Sequence, residues 1–208
     1  MKKIISIISL CLLVLSIKAQ GNYEQGMQKA FGFWQENKIE EASNLFERIA
    51  NAEKENWLPY YYVANVNITN SFRTKDRKII NAQLEKAQNN LNSATTYSAN
   101  NPEIMVLQAL LYTAQMMENP AALSQKLAPK IVKIYETAMA IAPENPRVNA
   151  SYAEWKLGAA RFFKEDTTPL CKDFEKSLLL FEKDKPTVPF GPTWGKERVE
   201  MLLKECNN

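Results

Sequence analysis

Two Asn-Pro steps, Asn101-Pro102-Glu103 and Asn145-Pro146-Arg147, lie 44 residues apart and constrain this chain more than any other feature. Asparagine caps a helix and proline takes the first helical position, so each step opens a helix. Between such breaks the apolar residues keep helical spacing. Ile80, Leu84, Ala87, Leu91 and Ala94 recur at intervals of four and three and draw one stripe along a helix. A strand would need alternation at every second residue, and no useful length of it occurs. The same helix start recurring at a long interval predicts stacked helical units, an all-α array in place of a single bundle.

Composition removes several chemistries. The sequence has no histidine, which excludes Ser-His-Asp and Cys-His catalysis and the commonest zinc ligand. Its six glycines form neither G-x-G-x-x-G nor G-x-x-x-x-G-K-[ST], so the usual nucleotide loops are missing. Glu24, Glu40, Glu41, Glu118 and Glu154 offer carboxylate pairs of the glycosidase kind, but a chain with 23 acids offers such pairs by chance. They read as a solvated surface. No catalytic residue, cofactor-binding residue or metal ligand is expected, and the reading is non-enzymatic.

The N-terminus reads as a leader. Lys2 and Lys3 precede an apolar run from Ile4 to Ile17, and Lys18-Ala19-Gln20 follows. This is a basic region, an apolar core of about 14 residues and a small residue at the expected cut after Ala19. A span needs about 20 apolar residues, so removal is favoured over anchoring, and no stable membrane insertion is expected after cleavage. Leu10 before Cys11 lacks the small side chain that a lipid-attachment site requires. Residues 1–19 hold three lysines and no acid, so the mature chain keeps 23 bases against 23 acids. No basic block remains, and nucleic acid is not an expected partner. The expectation is a single domain over 20–208 in an exported protein, periplasmic or secreted.

A tetratricopeptide register organises the mature region. Ala30, Phe33, Ala42, Phe46 and Ile49 fall at its separations of small and wedging residues, and Ala64 follows Ala30 by 34 residues. Ala87, Leu91 and Ala94 repeat the second-helix pattern, and Ala109 with Tyr112 repeats the first. Tyr135, Ala138 and Pro143, before Glu144-Asn145-Pro146, look like a unit ending. Over about 23–186 the chain resembles the tetratricopeptide-repeat family, with units starting near Tyr23, Trp57, Pro102 and Pro146. The resemblance implies a short right-handed solenoid of about four antiparallel helix hairpins. It also implies a non-enzymatic scaffold for a protein or peptide partner.

In that register the first helices line a concave face. Met27, Phe31, Trp34, Tyr61, Asn65, Ile68, Val106, Leu107 and Leu110 are placed there as a candidate interaction groove. Packing between neighbouring helices is their other use. Asn65, Asn67 and Asn70, weak helix formers, belong either to that groove or to a solvated face. The alternative function is binding of a small molecule or glycan in the aromatic groove. Asp166-Thr167-Thr168 reads as a helix-capping loop, with an O-glycan acceptor as the second use.

After Lys185-Pro186 the prolines at 189 and 192 and Gly191 keep the chain out of helix. Thr193 is then placed to cap a last helix over 194–206, with Glu197 completing a capping box, and that helix covers the open end of the array. Cys171 shares a stripe with Phe174, Leu178 and Phe181; Cys206 shares one with Val199, Leu202 and Leu203. Antiparallel packing of these two helices brings both thiols to one end, and a Cys171–Cys206 disulfide is expected, with two buried free thiols as the alternative.

Overall fold

The computed structural model describes residues 21–206, so the leader predicted over 1–19 lies outside the described residues. Among the described residues there are nine helices and no strand. These are α1 (21–35), α2 (Ile39–Ala52), α3 (Trp57–Ser71), α4 (Arg77–Tyr97), α5 (Pro102–Glu118), α6 (Pro120–Ile141), α7 (Pro146–Phe163), α8 (Leu170–Lys183) and α9 (Lys196–Cys206). The fold is all-α.

Capping chemistry sets the starts. The side chain of Asn101 accepts a hydrogen bond from the Glu103 amide at 2.9 Å, and that of Asn145 from the Val148 amide at 3.0 Å. Asn56 caps α3 and Asp76 caps α4 in the same way. Asn119 alone separates α5 from α6, and Pro120 opens the second of them. Each cap satisfies amides that have no partner within the helix.

Consecutive helices fold back as hairpins, α3 on α4, α5 on α6 and α7 on α8, while α3, α5 and α7 lie side by side as first helices. Small residues sit where helices approach. Ala30, Ala42, Ala64, Ala87, Ala94, Ala109 and Ala138 are fully buried, and the stripe from Ile80 to Ala94 faces inward throughout. Three larger apolar clusters follow one another along the stack, and a small fourth, Ile80, Leu84 and Ala114, joins α4 to α5. The first spans α1 to α5, the second joins α5, α6 and α7, and the third joins α7, α8 and α9. This is the arrangement that the tetratricopeptide resemblance implies.

The last helix continues the repeat. Arg147 pairs with Glu103, Arg198 with Glu154 and Glu205 with Arg161, each pair 44 residues apart. By that spacing α9 stands beside α7 as the first helix of a fifth, unfinished unit. It starts at Lys196, two residues later than the sequence suggested. The preceding position is Gly195 at φ 110°, where a Cβ would lie 2.9 Å from the Phe181 ring. Thr193 and Glu197 therefore make no capping box, and Trp194 stays outside the helix. A disulfide joins Cys171 near the start of α8 to Cys206 at the end of α9, with a Cα separation of 6.0 Å.

Candidate functional site

The nine residues assigned to an open groove do not form one. Met27, Tyr61, Asn65, Ile68, Val106 and Leu107 are buried; only Phe31, Trp34 and Leu110 keep partial exposure. The reason lies in α3, whose sequence WLPYYYVANVNITNS offers no polar face. A helix apolar on all sides is surrounded. Residues 61–68 are buried without interruption, between α2, α4 and α5. The corrected picture is a packing layer with three residues at its rim.

Part of the cover comes from an unexpected source. Segment 184–195, between α8 and α9, runs back across the first helices. The Tyr62 hydroxyl donates to the Phe190 carbonyl at 2.7 Å, and the Trp194 indole N–H donates to the Tyr61 hydroxyl at 2.7 Å. Gly191 and Pro192 are buried, and Trp194 packs against both the first and second clusters. The Phe190 ring lies edge-on to Tyr23 and nearly parallel to Phe31, with centroids 6.1 Å apart and planes 17° apart. Phe31 in turn lies nearly parallel to Trp34, 6.5 Å away, and edge-on to Tyr62. Three half-buried rings thus follow one another at the α1 end of the concave face. Phe190 has φ 61°, a left-handed backbone that costs a bulky residue about 1–2 kcal/mol.

An ion cluster ties one end of the segment down. The Arg147 Nε donates to both Glu103 carboxylate oxygens, at 2.8 and 2.9 Å, and its Nη1 donates to Asp184 at 2.7 Å. Asn145 adds a bond to Glu103 at 2.6 Å. Burial raises the Glu103 carboxyl above the ordinary range although Arg147 opposes it. Burial also works against the Arg147 charge, but Glu103 and Asp184 outweigh it and hold the guanidinium pKa above its usual value. Burial likewise pushes the Tyr61 and Tyr62 phenols up, so both remain neutral hydroxyls.

What stays open at this end is therefore an aromatic shelf, Phe31 and Trp34, bordered by a strap of the chain's own backbone. The fold is shared with a haemophore. The chain is similar to the HusA haemophore from Porphyromonas gingivalis, with a TM-score of 0.76 and 22% identity over 88% of this chain and 92% of that one. A tetratricopeptide-repeat protein from Thermus thermophilus aligns over 89% of this chain and 98% of its own, at 12% identity and a TM-score of 0.41. No family model and no curated protein matches the sequence. The likeness to HusA is one of fold; any shared chemistry has to come from side chains.

The remaining candidates resolve into structure. Tyr60, Tyr61 and Tyr62 point three ways, to Tyr97, Trp194 and Phe190. Asn67 bridges α3 to Ser43 of α2 at 2.8 Å, Asn70 is partly exposed, and buried Asn65 leaves its amide nitrogen without a partner. Glu154 is held by Arg198 and Glu118 lies near Arg77. Asp166 closes a turn on the Thr168 amide at 2.9 Å. A cleft of about 590 Å³ lined by 52–57, on the turn between α2 and α3, offers Glu53, Lys54 and Glu55 with one aromatic, Trp57. Among the described residues no group of acids and cysteines could hold a metal ion, and no helix is long and apolar enough to cross a membrane.

The residues that sequence reasoning passed over are Glu103, Arg147, Asp184, Phe190 and Trp194. A signal for the first two was present. They occupy the position after Asn-Pro in successive units, with opposite charges.

Proposed function

We propose that the chain is an exported, non-enzymatic binding protein whose concave face takes a flat, apolar ring ligand of the haem class. One observation carries this reading: a flat ring, that of Phe190, is already stacked on Phe31 beside Trp34. Parallel offset rings at about 4.5–7 Å are a favourable arrangement that a larger planar ligand would extend. The fold likeness to a haemophore and the leader-like residues 1–19 support it.

The side chains constrain how such a ligand would be held. There is no histidine to meet a haem iron. The nearest phenols are neutral and engaged, Tyr62 with the Phe190 carbonyl, Tyr61 with Trp194 and Tyr23 with the Asn56 side chain. Recognition would rest on ring faces and not on the metal. Titration of the mature chain with haemin and with metal-free protoporphyrin, followed by tryptophan quenching, tests this. Saturable binding of both within about tenfold, or about 1.4 kcal/mol, is expected. Absence of saturable binding, or a preference for haemin beyond a hundredfold, would overturn the reading.

A protein or peptide partner is the second reading, favoured by segment 184–195 itself. A non-helical stretch with three prolines and one phenylalanine lies on this face, held by backbone and ring contacts. Pull-down from envelope extract that returns one defined protein, with no porphyrin binding, would select it. The localisation has its own test. N-terminal sequencing of the exported product should begin near Gln20, and a product keeping residues 1–19 would contradict export by cleavage.

A further inference from the structure

We propose that residues 185–190 form a hinged flap over the shelf, latched by Phe190, and that a planar ligand enters by replacing the Phe190 ring against Phe31. This rests on the ring-ligand reading above. Both ends of the flap are fixed. Asp184 is held by Arg147 before it, and buried Gly191 and Pro192 follow it, with Trp194 bonded to Tyr61 just beyond. The helices on either side are joined at their far ends by the Cys171–Cys206 bridge, so the flap can swing but its ends stay in place.

Between those ends the hold is slight. Residues 185–189 are exposed, and Phe190 alone turns inward. Its carbonyl receives the Tyr62 hydroxyl, while the Gly191 amide bonds back to Val188 within the flap's own turn. That turn is tight: a Cβ at 191 would come within 3.1 Å of Pro186 and of the Val188 carbonyl, so a larger residue would push the turn open by a few tenths of an ångström. Phe190 also differs from the other left-handed residues. Asn37, Asn100 and Lys164 follow helix ends, where this conformation is ordinary, whereas Phe190 is a bulky side chain in a loop. Phe190 is thus the strained point of the closed flap, and such strain is characteristic of clamps and switches. Pro186 and Pro189 stiffen the flap, which favours movement as a unit over fraying.

Fluorine NMR of the mature chain with 4-fluorophenylalanine at position 190 tests the flap. Without ligand the resonance should carry the ring-current shift of a stacked ring, and metal-free protoporphyrin at saturation should move it to the solvent-exposed position. Phe190→Ala should tighten porphyrin binding about tenfold, because the open face becomes the populated one. An unmoved resonance at saturation, or weaker binding by Phe190→Ala, would overturn the flap while leaving porphyrin binding intact. If porphyrin does not bind at all, the ring-ligand reading fails and the ligand-free chain decides. Tyr62→Phe must then shift the resonance toward the exposed position, and no shift would overturn the flap as well.

Discussion

Arg147 is the residue on which the concave face depends most. Its guanidinium serves two carboxylates from two elements, and only 5% of its side chain is exposed. Removing one member of a buried ion cluster leaves the others charged without compensation, which costs about 3–5 kcal/mol. Arg147→Ala should lower stability by that order in a urea melt. Arg147→Met combined with Glu103→Leu should recover part of it, because the more deeply buried of the two stranded carboxylates goes too, while Asp184 keeps its charge at the more exposed edge of the cluster. Tyr61→Phe is milder: it strands the indole N–H of half-buried Trp194, a loss of about 1 kcal/mol. The contrast between Arg147 and Asn65 explains what was legible here. Arg147 and Glu103 are marked by equivalent positions in two units, a pattern visible in one dimension. Nothing in the sequence separates Asn65, buried with an unpaired amide nitrogen, from Asn67, which bonds Ser43, since that depends on which neighbour each faces.

At the scale of elements, the caps carry the boundaries. Asn145 both caps α7 and bonds Glu103, so Asn145→Ala should cost about 1 kcal/mol for the cap and somewhat more for the lost carboxylate contact. Thermal melts of Asn145→Ala beside Asn119→Ala, an exposed cap on the Ala122 amide with no carboxylate contact, measure the difference. Helix starts were readable because Asn, Asp and Pro act locally. The groove was over-read for the opposite reason. First helices line a concave face in a regular array, yet α3 lacks a polar side, and that lack already signalled a helix enclosed by its neighbours. The strap was legible only as a break. Pro189, Gly191 and Pro192 say that residues 184–195 are not helical. They do not say that Phe190 will meet Tyr62 across 128 residues or that Trp194 will meet Tyr61 across 133. Contacts of that span depend on the assembled stack.

For the whole molecule, the array closes on itself at one end by covalent means. Closing the loop between Cys171 and Cys206, separated by 35 positions, should stabilise the fold by about 4 kcal/mol in the chain-entropy model. Thiol titration of the unfolded, unreduced mature chain should find no reactive thiol, and the Cys171→Ser, Cys206→Ser double variant should melt well below the parent. Two reactive thiols per chain would refute the bridge. The pairing was foreseeable because it followed from two stripes and one antiparallel contact, whereas the position of α9 as the start of a fifth unit emerged only from the three ion pairs at a spacing of 44.

Trp34 is the half-buried outer end of the ring row and takes part in none of the buried ion pairs, so its removal trims the shelf without breaking the cluster that holds the strap. Equilibrium titration of metal-free protoporphyrin into the parent and Trp34→Ala chains, with Phe72→Ala as an exposed aromatic control, tests the shelf most directly. The account predicts saturable binding to the parent and the control. Trp34→Ala should lose at least about tenfold in affinity, one stacking contact of about 1.4 kcal/mol, while keeping a cooperative melt at a lower midpoint, since the ring also packs on Tyr62. Equal affinity in all three chains would contradict the account.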